Sequence, residues 1–118
     1  MREGPIVKKS LEFSILVVNY CELLESKRKF IIANQLLKSG TSIGANVFEA
    51  QHSESRLDFT HKMKIALKEA NETFYWLSLC EKMSVGAVPP EALNNINEII
   101  AILSRIIITC KKNLNSGK

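Results

Sequence analysis

Residues that break regular structure are scarce in this chain of 118 residues: it has three prolines and five glycines, too few for the many turns of a β-sandwich or barrel. Cysteine is sparse as well. Cys21, Cys80 and Cys110 are odd in number, widely spaced and without a CxxC pair, a pattern that fits reduced, buried thiols rather than a disulfide framework. The two histidines, His52 and His61, stand nine residues apart and lack the spacing of a zinc site. Glu49 and His52 make a single Glu-x-x-His motif, where a di-iron centre in a bundle requires one from each of two helices. GxGxxG, GKS and GKT are missing, which removes the phosphate-loop readings. GxSxG occurs once, at Gly40-Thr41-Ser42-Ile43-Gly44, but within a helical apolar period rather than at the strand-to-helix turn that a hydrolase nucleophile needs. No cofactor, metal or catalytic residue is expected. Lys8 and Lys9 precede an apolar stretch as in a secretory signal, but Glu12 interrupts it and no small-residue cleavage site follows Val18. The longest apolar region, Ile99 to Cys110, contains Ser104, Arg105 and Thr109 and falls short of the roughly 20 residues of a membrane span. These absences together lead to the expectation of a soluble, cytoplasmic protein with no membrane partner.

What the chain does contain is an ordinary globular balance, 46% hydrophobic and 24% charged, with length for one domain over residues 1–118 and a real core. The net charge of +4 is unevenly placed: residues 27–68 hold eight Lys or Arg against Glu49, Glu54 and Asp58, while the remainder holds eight basic and nine acidic residues. Positive charge gathered in one part of the chain points mildly to an anionic partner.

Helical periodicity runs through the whole sequence. From about Val7 to Ser26, Leu11, Ile15 and Val18 form one apolar stripe and Phe13, Val17, Tyr20 and Leu24 its neighbour. Lys27-Arg28-Lys29 follows, placed to complement the negative end of this helix. A second helix is expected from about Phe30 to Gln51, with Ile32, Leu36, Ile43, Val47 and Ala50 as its core stripe. Beside that stripe Ala33, Leu37, Gly40 and Gly44 make a line of mostly small side chains. A glycine inside a helix costs about 1 kcal/mol relative to alanine, so a turn at Ser39-Gly40 is the alternative. The apolar period stays in phase across it and favours one helix, whose glycines admit another backbone closely. A third helix is expected to take Ser53 or Ser55 as N-cap, with Asp58 three residues after Ser55, and to run to about Ser84. Phe59, Met63, Ala66, Leu67, Ala70, Phe74 and Leu77 line one of its faces, and Ile65, Trp76, Leu79 and Met83 an adjacent one. Gly86 and Pro89-Pro90 end it. The fourth spans about Pro90 to Leu114, with Leu93, Ile96, Ile100, Leu103, Ile107, Cys110 and Leu114 in a 3-4 repeat, Ile99, Ile102 and Ile106 beside them, and a frayed tail to Lys118. Short connections between such helices favour an all-α fold, an antiparallel up-down-up-down four-helix bundle.

Two apolar stripes on one helix exceed what a bundle core needs. The surplus, Trp76, Leu79, Ile99, Ile102 and Ile106, with Gly40 and Gly44, is the candidate interface of a homo-oligomer. Glu69 and Glu72 are one turn apart, but salt bridges such as Lys68 with Glu72 explain them without acid–base chemistry. On the third helix His61, Lys64, Lys68, Asn71, Tyr75, Ser78 and Lys82 fall at steps of three and four and share a polar face. Such a cationic stripe can follow a phosphate backbone, with Tyr75 available to stack on an unpaired base. Lys38, Arg56, His61, Lys64, Lys68, Tyr75 and Lys82 are therefore the candidate nucleic-acid contacts.

One stretch carries more than periodicity. The run Leu36-Leu37-Lys38-Ser39-Gly40-Thr41-Ser42-Ile43-Gly44-Ala45-Asn46-Val47 with Glu49-Ala50 resembles the 23S rRNA intervening-sequence proteins. So do Ser55, Asp58-Phe59, the segment Lys62 to Ala70, Glu72-Thr73 and Tyr75-Trp76-Leu77. The resemblance implies a bacterial four-helix bundle, often a pentameric ring. It also implies kinship with the accessory proteins of diversity-generating retroelements, a basic pentameric barrel that associates with nucleic acid and a reverse transcriptase. It carries over no catalytic residue. Thr41, Ser42, Asn46 and Glu49 within it are expected to pair with the third helix or a neighbouring subunit. Two functions stay open at this point: a homo-oligomer, on the family pattern a homopentamer, that binds structured RNA or DNA, and a protein–protein scaffold or adaptor with no nucleic-acid role.

Overall fold

Each helix starts and stops where local chemistry dictates. In the computed structural model, which describes residues 4–84 and 87–115, four helices follow one another: α1 (Pro5–Ser26), α2 (Phe30–Ala50), α3 (Arg56–Met83) and α4 (Pro90–Asn115). Proline opens both α1 and α4, where its missing N–H and fixed φ suit the first turn. The α1–α2 connection is the basic triplet itself. The Arg28 N–H donates to Glu25 O and the Lys29 N–H to Leu24 O, both at 2.9 Å, while Arg28 takes a φ of 62°; this is a Schellman cap with arginine in the place usually given to glycine. Ser55 caps α3, its hydroxyl accepting from the Asp58 N–H at 3.0 Å. At the other end of α3, Ser84 adopts φ 56°. Gly86 and the tail beyond Asn115 lie outside the described residues.

The helices pack in ring order. α1 lies against α2, α2 against α3, α3 against α4, and α4 closes more sparsely on α1, while the diagonal pairs keep their Cα atoms more than 8 Å apart. The result is an antiparallel four-helix bundle measuring 52 × 24 × 21 Å. Phe13, Val17, Leu24, Leu36, Ile43, Met63, Leu77, Ile96, Ile99 and Leu103 fill its core. α2 runs unbroken through both glycines. A Cβ on Gly40 would stand 2.8 Å from Val17 Cγ1, and one on Gly44 would stand 3.3 Å from Ser10 O. The small line on α2 therefore serves α1 of the same chain.

Two expectations change here. Gly40 and Ile99 are buried inside the chain and offer no surface to a second copy, because each is consumed by packing within the bundle. Trp76, Leu79, Ile102 and Ile106 are half-buried and do not form one face. Ile102 and Ile106 follow Glu98 at i+4 and i+8, on the side of α4 where Glu98 pairs with Lys9 of α1 at 2.7 Å, whereas Trp76 and Leu79 belong to α3. The exposed apolar surface is elsewhere. Leu11, Ile15 and Val18 of α1 and Phe48 of α2 remain open, and Leu11 and Phe48 border a groove of about 370 Å³ over Thr41, Gly44 and Ala45. The fourth helix also differs from its apolar segment taken alone. The run from Ile99 is short, but α4 extends back to Pro90, and by length and composition it is long and apolar enough to cross a membrane. Its Ala92, Ile96, Ile99, Leu103 and Ile107 face the bundle core.

Candidate nucleic-acid interface

α3 is one continuous helix from Arg56 to Met83, so His61, Lys64, Lys68, Asn71, Tyr75, Ser78 and Lys82 do share a face. Its orientation follows from the opposite flank. Thr73 and Lys62 meet Ser39 and Glu49 of α2, which turns the lysine face towards α4. There Lys64, Lys68 and Asn71 join Lys111 and Ile107 of α4 around a groove of about 430 Å³, with Leu67 at its base. Among the described residues no acidic one lines it. All three lysines are exposed, and among the described residues none of them enters an ion pair. Three ammonium groups without an ion-pair partner around one opening make a patch of positive potential.

The other sequence candidates are placed unevenly. His61 is exposed three residues before Lys64, and Tyr75 is exposed four residues after Asn71, edge-on to Trp76 with ring centroids 5.0 Å apart. Both extend the groove along α3. Lys82 lies on the same face near the far end of the helix. Arg56 opens α3, and Lys38 stands on α2, which packs on the other flank, so neither joins the groove. Lys111 is the member that sequence reasoning missed. Its signal was available in the 3-4 repeat of α4, because Lys111 follows Ile107 at i+4 and so rides beside a core residue.

The polar residues of the recognised stretch have structural partners. Lys62 donates to Glu49 across α2 and α3 at 3.2 Å. The Thr73 hydroxyl lies 2.9 Å from the Ser39 hydroxyl and 2.8 Å from Glu69 O; donating to the carbonyl, it accepts from Ser39. This pair is buried between α2 and α3, where an unmade hydrogen bond is costly. Trp76 Nε1 donates to Glu72 at 3.0 Å, so Glu72 steadies Trp76 rather than pairing with Lys68. Thr41, Ser42 and Asn46 donate to carbonyls four residues back on α2 instead of reaching α3. Elsewhere in the core the Cys21 thiol donates to Ala33 O at 3.3 Å. Burial pushes Cys21 up to about 12 and raises Tyr20 and Cys80 as well. Cys21 and Cys80 sit on diagonal helices with Cα atoms more than 8 Å apart, too far for a disulfide. Among the described residues no three His, Cys, Asp or Glu side chains gather to hold a metal ion.

A profile of the 23S rRNA-intervening sequence proteins matches residues 2–109. The chain belongs to that family. Its fold is similar to a solved protein of unknown function from the S23 ribosomal protein family of Bacteroides thetaiotaomicron, at 44% identity and a TM-score of 0.79 over 86% of this chain and 97% of that one. No curated protein matches the chain. Neither the family description nor the solved relative names an enzymatic activity. In this intervening-sequence protein Ser39, Glu49, Lys62 and Thr73 tie α2 to α3.

Proposed function

We propose that this protein is a non-catalytic, homo-oligomeric bundle that binds RNA or DNA through the groove between α3 and α4. The observation that carries the reading is the convergence of Lys64, Lys68 and Lys111 on one opening without an acidic neighbour. The family description, with its ribosomal RNA context, is consistent with a phosphodiester ligand. Self-association is supported by the exposed apolar residues of α1 and α2, Leu11, Ile15, Val18 and Phe48. In a ring-ordered bundle the α1/α2 face is opposite the α3/α4 face, so copies seated on the first leave the lysine groove free. Lys64→Glu with Lys68→Glu is expected to abolish saturable binding to structured RNA and DNA in fluorescence anisotropy, while light scattering still gives the mass of the assembly. Unchanged binding by this variant rejects the groove.

The same apolar face favours a second reading, a scaffold that docks a partner protein's helix. That reading predicts a monomer in light scattering, indifference to nucleic acid, and co-purification of a protein partner that Leu11→Asp abolishes.

A further inference from the structure

The α3–α4 groove has charged lips and an apolar base, and the two parts ask for different things from a ligand. Lys64, Lys68 and Lys111 satisfy phosphates of any nucleic acid, but Leu67 and Ile107 offer nothing to a phosphate. In a duplex the flat faces of the bases are stacked away inside, and only backbone and edges reach a protein. An unpaired base carries two open faces, which pack on apolar and aromatic side chains. Asn71, at the groove's edge, holds both a donor and an acceptor. One turn further along the same face, about 6 Å away at 1.5 Å per residue, Tyr75 is 57% exposed. An aromatic ring that open has a face available for a second base.

We infer that the nucleic acid taken by this groove is single-stranded. Its phosphates lie on Lys64, Lys68 and Lys111, one base rests against the half-buried Leu67, and the next stacks on Tyr75. The inference rests on the nucleic-acid reading above and narrows it to unpaired segments, such as loops and tails of a folded RNA.

The test compares a labelled single strand of about 12 nucleotides, inside the range of known single-strand site sizes, with the duplex of the same sequence, by fluorescence anisotropy at one salt concentration. The single strand is expected to bind about tenfold more tightly or better. Tyr75→Ala should weaken the single strand by about 5- to 100-fold, the loss of one stacked base, and leave duplex binding as it was. Tyr75→Phe, which keeps the ring, should restore the difference, and thermal melts of both variants establish that the bundle is intact. Equal or tighter binding of the duplex overturns the inference, as does a Tyr75→Ala variant that binds the strand like the parent protein. If Lys64→Glu with Lys68→Glu still abolishes binding in that case, the polyanion reading survives and only the preference for unpaired strands falls. No binding of either ligand by the parent protein removes both.

Discussion

Arg28 holds a φ of 62°, a conformation that costs an L-residue with a Cβ roughly 1–2 kcal/mol. Arg28→Gly is expected to stabilise the protein by about 1 kcal/mol, seen as a rise in melting temperature of roughly 3–6 °C. The sequence gives no sign of this strain, because the usual mark of a Schellman cap is a glycine and the chain has none there. At Gly40 the effect runs the other way. Alanine is the better helix former by about 1 kcal/mol, yet its methyl would sit 2.8 and 2.9 Å from the two Val17 methyl carbons, and Val17 is fully buried and has nowhere to go. Gly40→Ala should therefore cost a net of about 1–2 kcal/mol. Adding Val17→Ala should recover part of that loss, a coupling that chemical denaturation in a double-mutant cycle measures. The core thiol has a pH signature. Burial lifts Cys21 from its ordinary 9.0 to about 12, so the unfolded chain ionises first. Its contribution to stability is complete below pH 9 and is lost as the pH climbs towards 12. Melting curves from pH 8 to 12 should show this fall, and Cys21→Ala should reduce it.

Helix existence and limits were legible in the sequence because each helix has a sustained 3-4 repeat and a chemical stop: Ser55 before α3, Pro90 at the start of α4, the basic triplet after α1. What the repeat did not rank was which of two adjacent stripes faces inward. On α1 both stripes have helical spacing, and the choice depends on where α2 and α4 lie, which is a property of the assembled bundle. Phe13, Val17, Tyr20 and Leu24 are buried and Leu11, Ile15 and Val18 are not. On α4 the surplus isoleucines are absorbed instead, Ile99 wholly and Ile102 and Ile106 in part. The two α1 stripes should therefore separate by mutation. Leu11→Asp, at a site 62% exposed beside Phe48 of α2, should leave the melting temperature within a few degrees while lowering the mass in light scattering. Val17→Asp buries a charge in the core and should unfold the chain. A monomeric parent protein, or a Leu11→Asp variant that keeps the full mass, rejects the α1/α2 face as the site of assembly.

Over the whole molecule the division of surfaces is the result that matters. The apolar face on α1 and α2 and the lysine groove on α3 and α4 are on opposite sides of the ring of helices, so the proposed assembly and the proposed ligand would use different surfaces. Half of the groove was legible: the stepping of Lys64, Lys68 and Asn71 along α3 is a one-dimensional pattern. Lys111 lies 43 residues beyond Lys68 in sequence, and only the packing of α3 on α4 brings it in. Lys38 and Arg56 were drawn in by local charge density, which ignores the flank on which a side chain emerges. On the function proposed above, three lysines from two helices act as one phosphate site. Salt titration of binding decides it, with log affinity plotted against log salt for the parent protein and for Lys64→Gln/Lys68→Gln/Lys111→Gln. Each phosphate contact contributes about 0.7–0.9 to the slope. The triple variant is expected to bind more weakly, with a slope shallower by roughly 2–3. An unchanged slope and affinity reject the site.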